Sequence, residues 1–473
     1  MSQPDPTHGP SPNPLDGADS LCVLGVRELN ALFARRQLSP VEVAQAALAR
    51  ARHIDAHFNA FALIDEEGAL RAARESERRW LRGLPLSAVD GVPTTLKEIV
   101  QIAGLPVRYG SHAVGAAPCA ADAPSVQRLR GAGAVFLGIT TTPEFGWKAL
   151  TDSPLRGITR NPWNPALTPG GSSGGAAVAA ACGAGVLHLG TDGGGSIRIP
   201  ASFTGIAGLK PSYGKVAASP PSAFGTVAHI GPMARRADDL AAMLDAMAGR
   251  DLRDWTQGPQ PGPAAALREA VLRGARIGFW TQPPVGRVDP EVAACVQAAV
   301  RRIVEAGAFV EMVELPGGDD LLEIFHRHWF SGAANRLASL DAATRAACDP
   351  GLLDIAAAGA AFSAPQLVEA QVRRAEFGAA MDALLERFDF LVSPAVAITA
   401  FEAGRECPRD SDAGRWTEWA GFSFPVNLSQ QPACSVPCGF NAAGLPIGLQ
   451  IVGARGADGN VLAAAREFEK LGA

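Results

Sequence analysis

Three turns rich in glycine or proline hold the residues of this chain best suited to chemistry. Lys97 ends the first turn, Ser172 and Ser173 lie in the second, and Ser196 lies in the third. A serine can act as a nucleophile, and a buried lysine can act as a base because burial favours its neutral amine. These are the residue types of covalent hydrolysis. The turns are residues 91–97, 169–175 and 191–198.

The turn around Ser196 has the strongest individual pattern. Gly193, Gly194 and Gly195 precede the serine and directly follow an expected strand at residues 186–191. Consecutive glycines let backbone N–H groups point inward, as donors to a tetrahedral oxyanion must. An ordinary glycine-rich turn or a phosphate-binding loop has a similar composition. The phosphate reading is disfavoured, because neither a Lys-Ser/Thr pair nor Gly-x-Gly-x-x-Gly spacing is present.

The other two turns admit simpler readings when each is taken alone. Ser172 and Ser173 open an alanine-rich helix, where serine commonly caps the first turn, and we favour that role for Ser173. Ser173 also fits the Gly-x-Ser-x-Gly pattern of an α/β-hydrolase, which would need a histidine partner. His188 lies within an expected strand and more plausibly belongs to the core. Lys97, ordinarily a solvated residue type, follows an apolar β-prone segment.

Together the three turns resemble the amidase signature family. The spacing from Ser172 to Ser196 (196 − 172 = 24) and the Gly-Gly-Ser-Ser-Gly-Gly surroundings match the family pattern. The resemblance implies that Ser196 is the nucleophile, that Ser172 follows a cis peptide bond and relays its proton, and that Lys97 is the base. It further implies an oxyanion site formed by the N–H groups of Gly193, Gly194, Gly195 and Ser196. No metal or organic cofactor is implied.

Four neighbouring residues are expected to support the triad. Asp192 and Arg198 flank the nucleophile and are predicted to pair and brace its loop, while Ser173 and Thr191 support the site. Gly193 stands where some relatives carry a larger residue, so it is expected to enlarge the space beside the nucleophile. Aromatic side chains in expected loops or near helix ends could line a substrate pocket, although core packing is an alternative for each. These are Tyr109, Phe145, Trp147, Phe224, Trp329 and Trp416.

The composition excludes several other classes of protein. The chain has 473 residues, 47% of them hydrophobic and 19% charged, which is typical of a well-buried globular protein. A net charge of −5 gives no basic surface for nucleic acid or membranes. No apolar stretch reaches the ~18 residues of a membrane span. Eight scattered cysteines and no recognisable signal peptide predict a cytoplasmic protein with reduced thiols, and the isolated Cys434/Cys438 pair does not predict a zinc site.

Alternating strands and helices from residue 88 onward predict an α/β fold. We expect a large, twisted, mixed β-sheet covered by helices on both faces, which is also the fold of the amidase signature family. A proline-rich leader, 1–20, is predicted to be disordered and to precede a single domain, 21–473. Within it we expect a helical part at 21–85, the signature core at 88–232, and the remaining sheet, helices and pocket loops at 233–473. Strands are expected at 134–139, 186–191, 276–280, 309–314, 388–392, 434–438 and 447–453, and helices at 40–54, 66–81, 176–184, 238–248, 290–306, 365–388 and 460–471.

The leading functional hypothesis is an amidase that hydrolyses a small-molecule amide, as a monomer or homodimer. Aryl amides, carbamates or urethanes, and oligoamides remain open as substrates. One alternative is the glutamine-hydrolysing component of a tRNA-dependent amidotransferase, which would have partner proteins. More remote alternatives are an esterase of the α/β-hydrolase type using Ser173, and an inactive binding protein, disfavoured because all three triad positions are occupied.

Overall fold

The computed structural model describes residues 13–258 and 271–472. The first twelve residues of the predicted leader lie outside this range. Residues 13–20 form turns packed against the domain, where Arg50 Nη2 donates a hydrogen bond to the Pro14 carbonyl oxygen (2.6 Å). Arg50 Nε also donates to the Cys182 carbonyl oxygen (2.7 Å), so the buried arginine links this segment to the core.

In the described part of the chain, eleven strands form one mixed sheet, as predicted. Their order is β1-β3-β2-β6-β8-β7-β12-β13-β11-β9-β10, and β4 and β5 form a separate two-stranded sheet. The strands are β1 Phe61–Ile64, β2 Pro93–Lys97, β3 Val135–Thr140, β4 Asp152–Ser153, β5 Gly157–Ile158, β6 Leu187–Asp192, β7 Ala207–Lys210, β8 His229–Ala234, β9 Arg276–Trp280, β10 Phe309–Val313, β11 Phe390–Pro394, β12 Ala433–Phe440 and β13 Pro446–Val452.

Helices pack on both faces of the sheet. Val135 and Leu137 of β3 join a cluster with Leu48, whereas Phe136 between them joins a different cluster with Leu129. Because successive strand residues point to opposite faces, the two clusters lie on opposite sides of β3. The helices are α1 Val26–Ala34, α2 Pro40–Phe58, α3 Glu66–Leu81, α4 Pro124–Gly131, α5 Gly174–Ala181, α6 Arg198–Thr204, α7 Ala237–Met247, α8 Pro290–Glu305, α9 Leu321–Ala338, α10 Ala342–Ala346, α11 Pro350–Ala360, α12 Ala364–Arg387, α13 Phe424–Ser429 and α14 Asp458–Lys470, with short 3₁₀ turns at Ser20–Val23, Glu144–Gly146, Gly225–Val227, Gly318–Asp320 and Trp416–Glu418.

Local capping signals account for the helix starts that were predicted best. Ser39 Oγ accepts a hydrogen bond from Val41 N (2.9 Å), and Glu42 accepts one from Ser39 N (2.8 Å), which forms the capping box at the start of α2. The prediction was less complete where such signals are weak. It missed α9, so the expectation that Trp329 lies in a loop or near a helix end was wrong: Trp329 lies in the middle of that helix.

The three predicted turns meet at the carboxyl ends of two adjacent parallel strands, β2 and β6. β2 pairs in parallel with β6, and Leu96 lies opposite Leu189, so Lys97 and Thr191 lie near the same strand ends. The second turn leads into α5, which packs against β6. Ligand sites form at such carboxyl ends of parallel strands. The topology therefore explains why residues separated by up to 99 positions (196 − 97) meet.

Among the residues that the structure describes, no single helix is long and apolar enough to cross a membrane. Pro350–Ala360 and Ala364–Arg387 meet the length and composition criteria only as a pair, and they are bent by 99° relative to each other.

Candidate active site

Lys97 is fully buried at the centre of the site. Its Nζ lies 2.7 Å from Ser172 Oγ, 2.9 Å from Ser173 Oγ and 2.9 Å from Thr191 Oγ1. Burial lowers the pKa of Lys97 well below its usual value, and the negative charge of Asp192 only partly opposes this effect. The structure thus joins a lysine whose neutral form is favoured by burial to three hydroxyl groups, and the contact with Ser172 is the one that the family resemblance implied.

Ser172 is held by tightly packed glycines. The peptide bond between Gly171 and Ser172 is cis, a feature that the family resemblance implied. A Cβ atom at Gly171 would collide with the Leu150 carbonyl oxygen, so only glycine fits there. Ser173 Oγ donates to the Thr191 carbonyl oxygen (3.1 Å) and accepts from Thr191 N (3.2 Å). Ser173 therefore ties the second turn to the third, and its side chain does not cap α5, so the capping role expected for it was wrong.

Ser196 is almost completely buried and lines the cavity described below. Its carbonyl oxygen accepts a hydrogen bond from Ser173 N (3.1 Å). Within residues 13–258 and 271–472, no hydrogen bond joins Ser196 Oγ to Ser172 Oγ. Catalytic hydrogen bonds are often longer before substrate binds, so this gap is compatible with a relay that closes in the complex.

One of the four predicted oxyanion donors is already occupied. Gly195 N donates to Asp192 Oδ1 at 2.7 Å, so the expectation that this N–H binds an oxyanion was wrong. By accepting this hydrogen bond, the Asp192 carboxylate braces the turn that carries Ser196. In the described chain, the N–H groups of Gly193, Gly194 and Ser196 have no hydrogen-bond acceptor. Three of the four donors thus remain for an oxyanion.

Asp192 and Arg198 form the predicted pair, and both are fully buried. Arg198 Nε and Nη2 each lie 3.0 Å from a different oxygen of Asp192, so the pairing is bidentate. Burial alone would raise the pKa of Asp192, but the charge and hydrogen bonds of Arg198 hold it below its usual value. Asn427 and Gln450 complete the network by accepting hydrogen bonds from Arg198 at 2.6 and 2.7 Å. The sequence did not predict these two residues.

Asp192→Ala should destabilise the protein by about 3–5 kcal/mol, because it leaves the Arg198 charge buried without its partner. Urea unfolding monitored by circular dichroism would measure the change. Glu323→Ala is the matched control, since it removes a carboxylate from a partly exposed pair with Arg327 and should cost less than about 1 kcal/mol. Equal losses in the two variants would contradict the bracing role of Asp192.

A cavity of about 500 Å³ opens beside Ser172 and Ser196. Four of the six aromatic residues predicted for the pocket lie in its wall: Tyr109, Phe145, Phe224 and Trp329. Phe224 and Trp329 are stacked, with ring centroids 3.8 Å apart and planes inclined by 12°. Tyr109 and Phe145 form a second pair of neighbouring rings, with centroids 6.2 Å apart, so two aromatic pairs contribute to the cavity wall.

Trp147 and Trp416 do not line this cavity, which corrects the prediction for both. Trp147 is buried, and its carbonyl oxygen accepts a hydrogen bond from Trp329 Nε1 (2.9 Å). Trp416 packs edge-on against Trp329, with ring centroids 5.8 Å apart. Both were predicted from their residue type, which favours core packing and pockets alike. Trp147 and Trp416 both contact Trp329 and thereby help to position its ring.

Gly193 does not enlarge the cavity as expected, because the Trp329 ring occupies the space that its missing side chain leaves. A Cβ atom at Gly193 would lie 2.7 Å from Cζ3 of Trp329. The glycine therefore allows a large aromatic ring to approach the candidate nucleophile.

Gly193→Ala should displace the Trp329 ring and lower kcat/KM for an aryl amide by about 10- to 100-fold, as small misplacements at a reacting centre do. Steady-state kinetics would measure the loss. The double variant Gly193→Ala/Trp329→Leu should recover part of the activity by removing the clash. Gly115→Ala is the control, because a Cβ atom there meets nothing within 4 Å. Unchanged kinetics in Gly193→Ala would contradict the proposed contact.

Nearby histidines do not form the alternative hydrolase site. In the described residues, the hydrogen bonds of Ser173 Oγ involve Lys97 and Thr191 and no histidine. His188 is buried, and its Nδ1 lies 2.8 Å from Thr95 Oγ1. No group of three or more His, Cys, Asp or Glu residues in the described ranges could hold a metal ion.

Comparisons with known proteins identify the class. A family model described as Amidase matches residues 42–462. The chain is 34% identical to an acylamidase of Rhodococcus erythropolis, over 95% of both chains. It is also 34% identical to one of the subunits of the glutamyl-tRNA(Gln) amidotransferase of Symbiobacterium thermophilum, over 95% of this chain and 97% of the relative.

Solved structures agree with this result. A bacterial aryl acylamidase of the amidase signature family superposes with a TM-score of 0.88 at 29% identity, over 95% of this chain and 96% of the other. A 6-aminohexanoate cyclic dimer hydrolase complexed with substrate gives 0.86 at 27% identity, over 96% and 98% of the chains. The fold is thus that of the amidase signature enzymes. The chain belongs to this family, and it is an enzyme that hydrolyses the carbon–nitrogen bond of amides.

Proposed function

We propose that the protein hydrolyses small-molecule amides through an acyl-enzyme on Ser196, activated by Ser172 and Lys97. The observation that carries this proposal is the fully buried Lys97 amine, 2.7 Å from Ser172 Oγ. A general base must be neutral to accept a proton, and burial shifts the lysine toward that form.

The proton inventory around Lys97 supports the direction of the relay. A neutral amine has two N–H donors and one lone pair, yet its nitrogen contacts three hydroxyls. In this neutral form, one of the three hydroxyls donates to the lone pair. Ser173 uses its proton on the Thr191 carbonyl oxygen, which leaves Ser172 or Thr191 as that donor. The shortest contact, from Ser172, favours Ser172.

In the proposed reaction, Ser196 Oγ attacks the amide carbonyl carbon and gives its proton to Ser172 Oγ, while the Ser172 proton passes to Lys97. The N–H groups of Gly193, Gly194 and Ser196 stabilise the oxyanion. When the C–N bond breaks, the proton returns through Ser172 to the leaving amine. Water then attacks the acyl-enzyme by the same relay in reverse and releases the acid.

The aromatic side chains that line the cavity favour a substrate with an aryl substituent. Phe224 and Trp329 present stacked rings beside Gly193, and aromatic surfaces favour planar groups. The similarity to an acylamidase and an aryl acylamidase supports the same substrate class. Carbamates and oligoamides could be cleaved by the same relay. We propose that the enzyme acts in the cytoplasm as a monomer or homodimer.

A second candidate is glutamine hydrolysis within an amidotransferase complex. The similarity to the amidotransferase relative favours it as strongly by sequence identity as the acylamidase favours the first candidate. The aromatic cavity wall favours the free-standing amidase, because the side chain of glutamine is small and polar.

A substrate screen tests both candidates. Chromogenic anilides, esters, carbamates and primary amides including glutamine would be offered to the wild-type protein, with Ser196→Ala as the blank. We expect aryl amides to be hydrolysed well above the blank. Hydrolysis of glutamine alone would favour the amidotransferase candidate, and no hydrolysis of any class above the blank would contradict the proposed function.

A further inference from the structure

The wall of the cavity contains one arginine, Arg336. Arg336 lies on α9 seven positions after Trp329, two turns along the helix, so both side chains extend from the same helix face. Both line the cavity that contains Ser196. The helix thus presents an aromatic ring and a guanidinium group to the same space.

Arg336 is held there by two aromatic rings. Its Cζ atom lies 4.2 Å from the centroid of the Phe145 ring and 5.5 Å from that of Tyr109. A guanidinium over aromatic faces is attracted by the ring quadrupoles, which position it without using its N–H donors. In residues 13–258 and 271–472, these ring contacts are not accompanied by an ion pair or a hydrogen bond from the Arg336 guanidinium. Its donors therefore have no acceptor within the described protein.

The backbone beneath this group is unusual. Tyr109 and Phe145 have φ angles of 56° and 51°, in the left-handed region that non-glycine residues seldom adopt. Phe145 N donates to the Tyr109 carbonyl oxygen (2.8 Å), which links the two residues. Such conformations persist only where surrounding structure enforces them, and they concentrate at ligand-binding sites. Here they hold both rings under Arg336.

The charge in the cavity is unbalanced. Arg336 is the one charged side chain among the described lining residues, and no carboxylate lines the cavity. His229 also lies in the wall, but burial, reinforced by the charge of Lys210, lowers its pKa well below the usual value, so it is neutral. Arg336 is half-buried, and a positive charge in a cavity wall that holds no carboxylate favours an anionic group.

We propose that Arg336 selects amide substrates that carry a carboxylate, which it binds through its paired N–H donors while the amide carbonyl lies at Ser196. The planar guanidinium matches the geometry of a carboxylate, and charge-assisted bonds of this kind are stronger than neutral ones. This inference rests on the proposed amide hydrolysis and adds to it the class of substrate. Arg336 is thus a specificity-determining residue of the cavity.

Matched pairs of substrates test the proposal on both sides of the amide bond. On the acyl side, the 4-nitroanilide of succinate is compared with that of 4-methylpentanoate, which has the same shape without charge. On the amine side, N-acetyl-4-aminobenzoate is compared with N-acetyl-4-isopropylaniline. Release of the free amine is measured for wild type, Arg336→Met and Arg336→Lys, and thermal unfolding verifies that each variant is folded.

We expect the wild type to prefer the carboxylate member of at least one pair by about 10-fold or more in kcat/KM. Arg336→Met should lower kcat/KM for that member by about 10- to 100-fold, mainly through KM, and change the neutral member by less than about 3-fold. Arg336→Lys should retain part of the preference. Equal use of both members of each pair by the wild type, or equal losses in Arg336→Met, would overturn the proposal but leave the proposed hydrolysis intact. Absence of all hydrolysis above the Ser196→Ala blank would overturn both.

Discussion

Ser196→Ala should lower kcat for amide hydrolysis by at least about 1000-fold, because it removes the proposed nucleophile. Its Oγ makes no hydrogen bond that supports the fold within the described residues, so the free energy of unfolding should change by less than about 1 kcal/mol. Steady-state kinetics on an aryl amide and urea unfolding would measure the two effects separately.

Two further variants make the Ser196 result specific. Ser339→Ala removes another serine hydroxyl from the cavity wall and should leave kcat within a few-fold of wild type. Ser173→Ala should give a partial loss, because its hydroxyl contacts Lys97 and Thr191. Full activity in Ser196→Ala, together with complete loss in Ser173→Ala, would instead support the alternative of an α/β-hydrolase that uses Ser173 as its nucleophile.

Lys97→Met should produce a comparably severe loss of kcat, because it removes the proposed base and keeps a side chain of similar length. The pH profile of the wild-type activity should also show the ionisation of this base. Since burial lowers the pKa of Lys97, its neutral form exists well below the usual lysine range. Activity should therefore be complete above that lowered pKa and fall as the pH drops through it. Profiles of kcat/KM from about pH 5 to pH 10 would measure this acid limb.

Lys210→Met provides the matched control for Lys97. Lys210 is equally buried, and burial also lowers its pKa, but its Nζ donates to the carbonyl oxygens of Pro211 and Gln431. Lys210→Met should keep the acid limb even if the protein is less stable. Loss of the acid limb in Lys210→Met, or substantial activity in Lys97→Met, would contradict the assignment of Lys97 as the base.

Elements with local signals were predicted best. The capping box at Ser39 and the first-turn proline gave the start of α2, and continuous apolar runs located β3 and β6. Lys97, Ser172 and Ser196 were assigned through the resemblance to the amidase signature family, which rests on their surroundings and, for the two serines, on their spacing. Their convergence then follows from the parallel pairing of β2 with β6.

Features that depend on tertiary packing were not predictable in this way. The N–H group of Gly195 was expected to bind the oxyanion, because the amino-acid sequence does not show that Asp192 accepts its hydrogen bond. Gly193 was expected to leave open space beside the nucleophile. The sequence does not show that Trp329, 136 positions later (329 − 193), fills that space. Arg336 gave no signal, since a single arginine on a helix is ordinarily solvated and only the fold brings it over Phe145.

The most direct test of the Ser196 assignment is to locate the acyl group on the enzyme during turnover. The protein would be mixed with a 4-nitrophenyl ester, quenched in acid, digested and analysed by mass spectrometry. Trypsin leaves all three site serines in one peptide, residues 161–198, so fragment ions must locate the label. We expect an acyl group on Ser196 in the wild type and none in Ser196→Ala. An acyl group on Ser172 or Ser173 in the wild type would contradict the proposed mechanism.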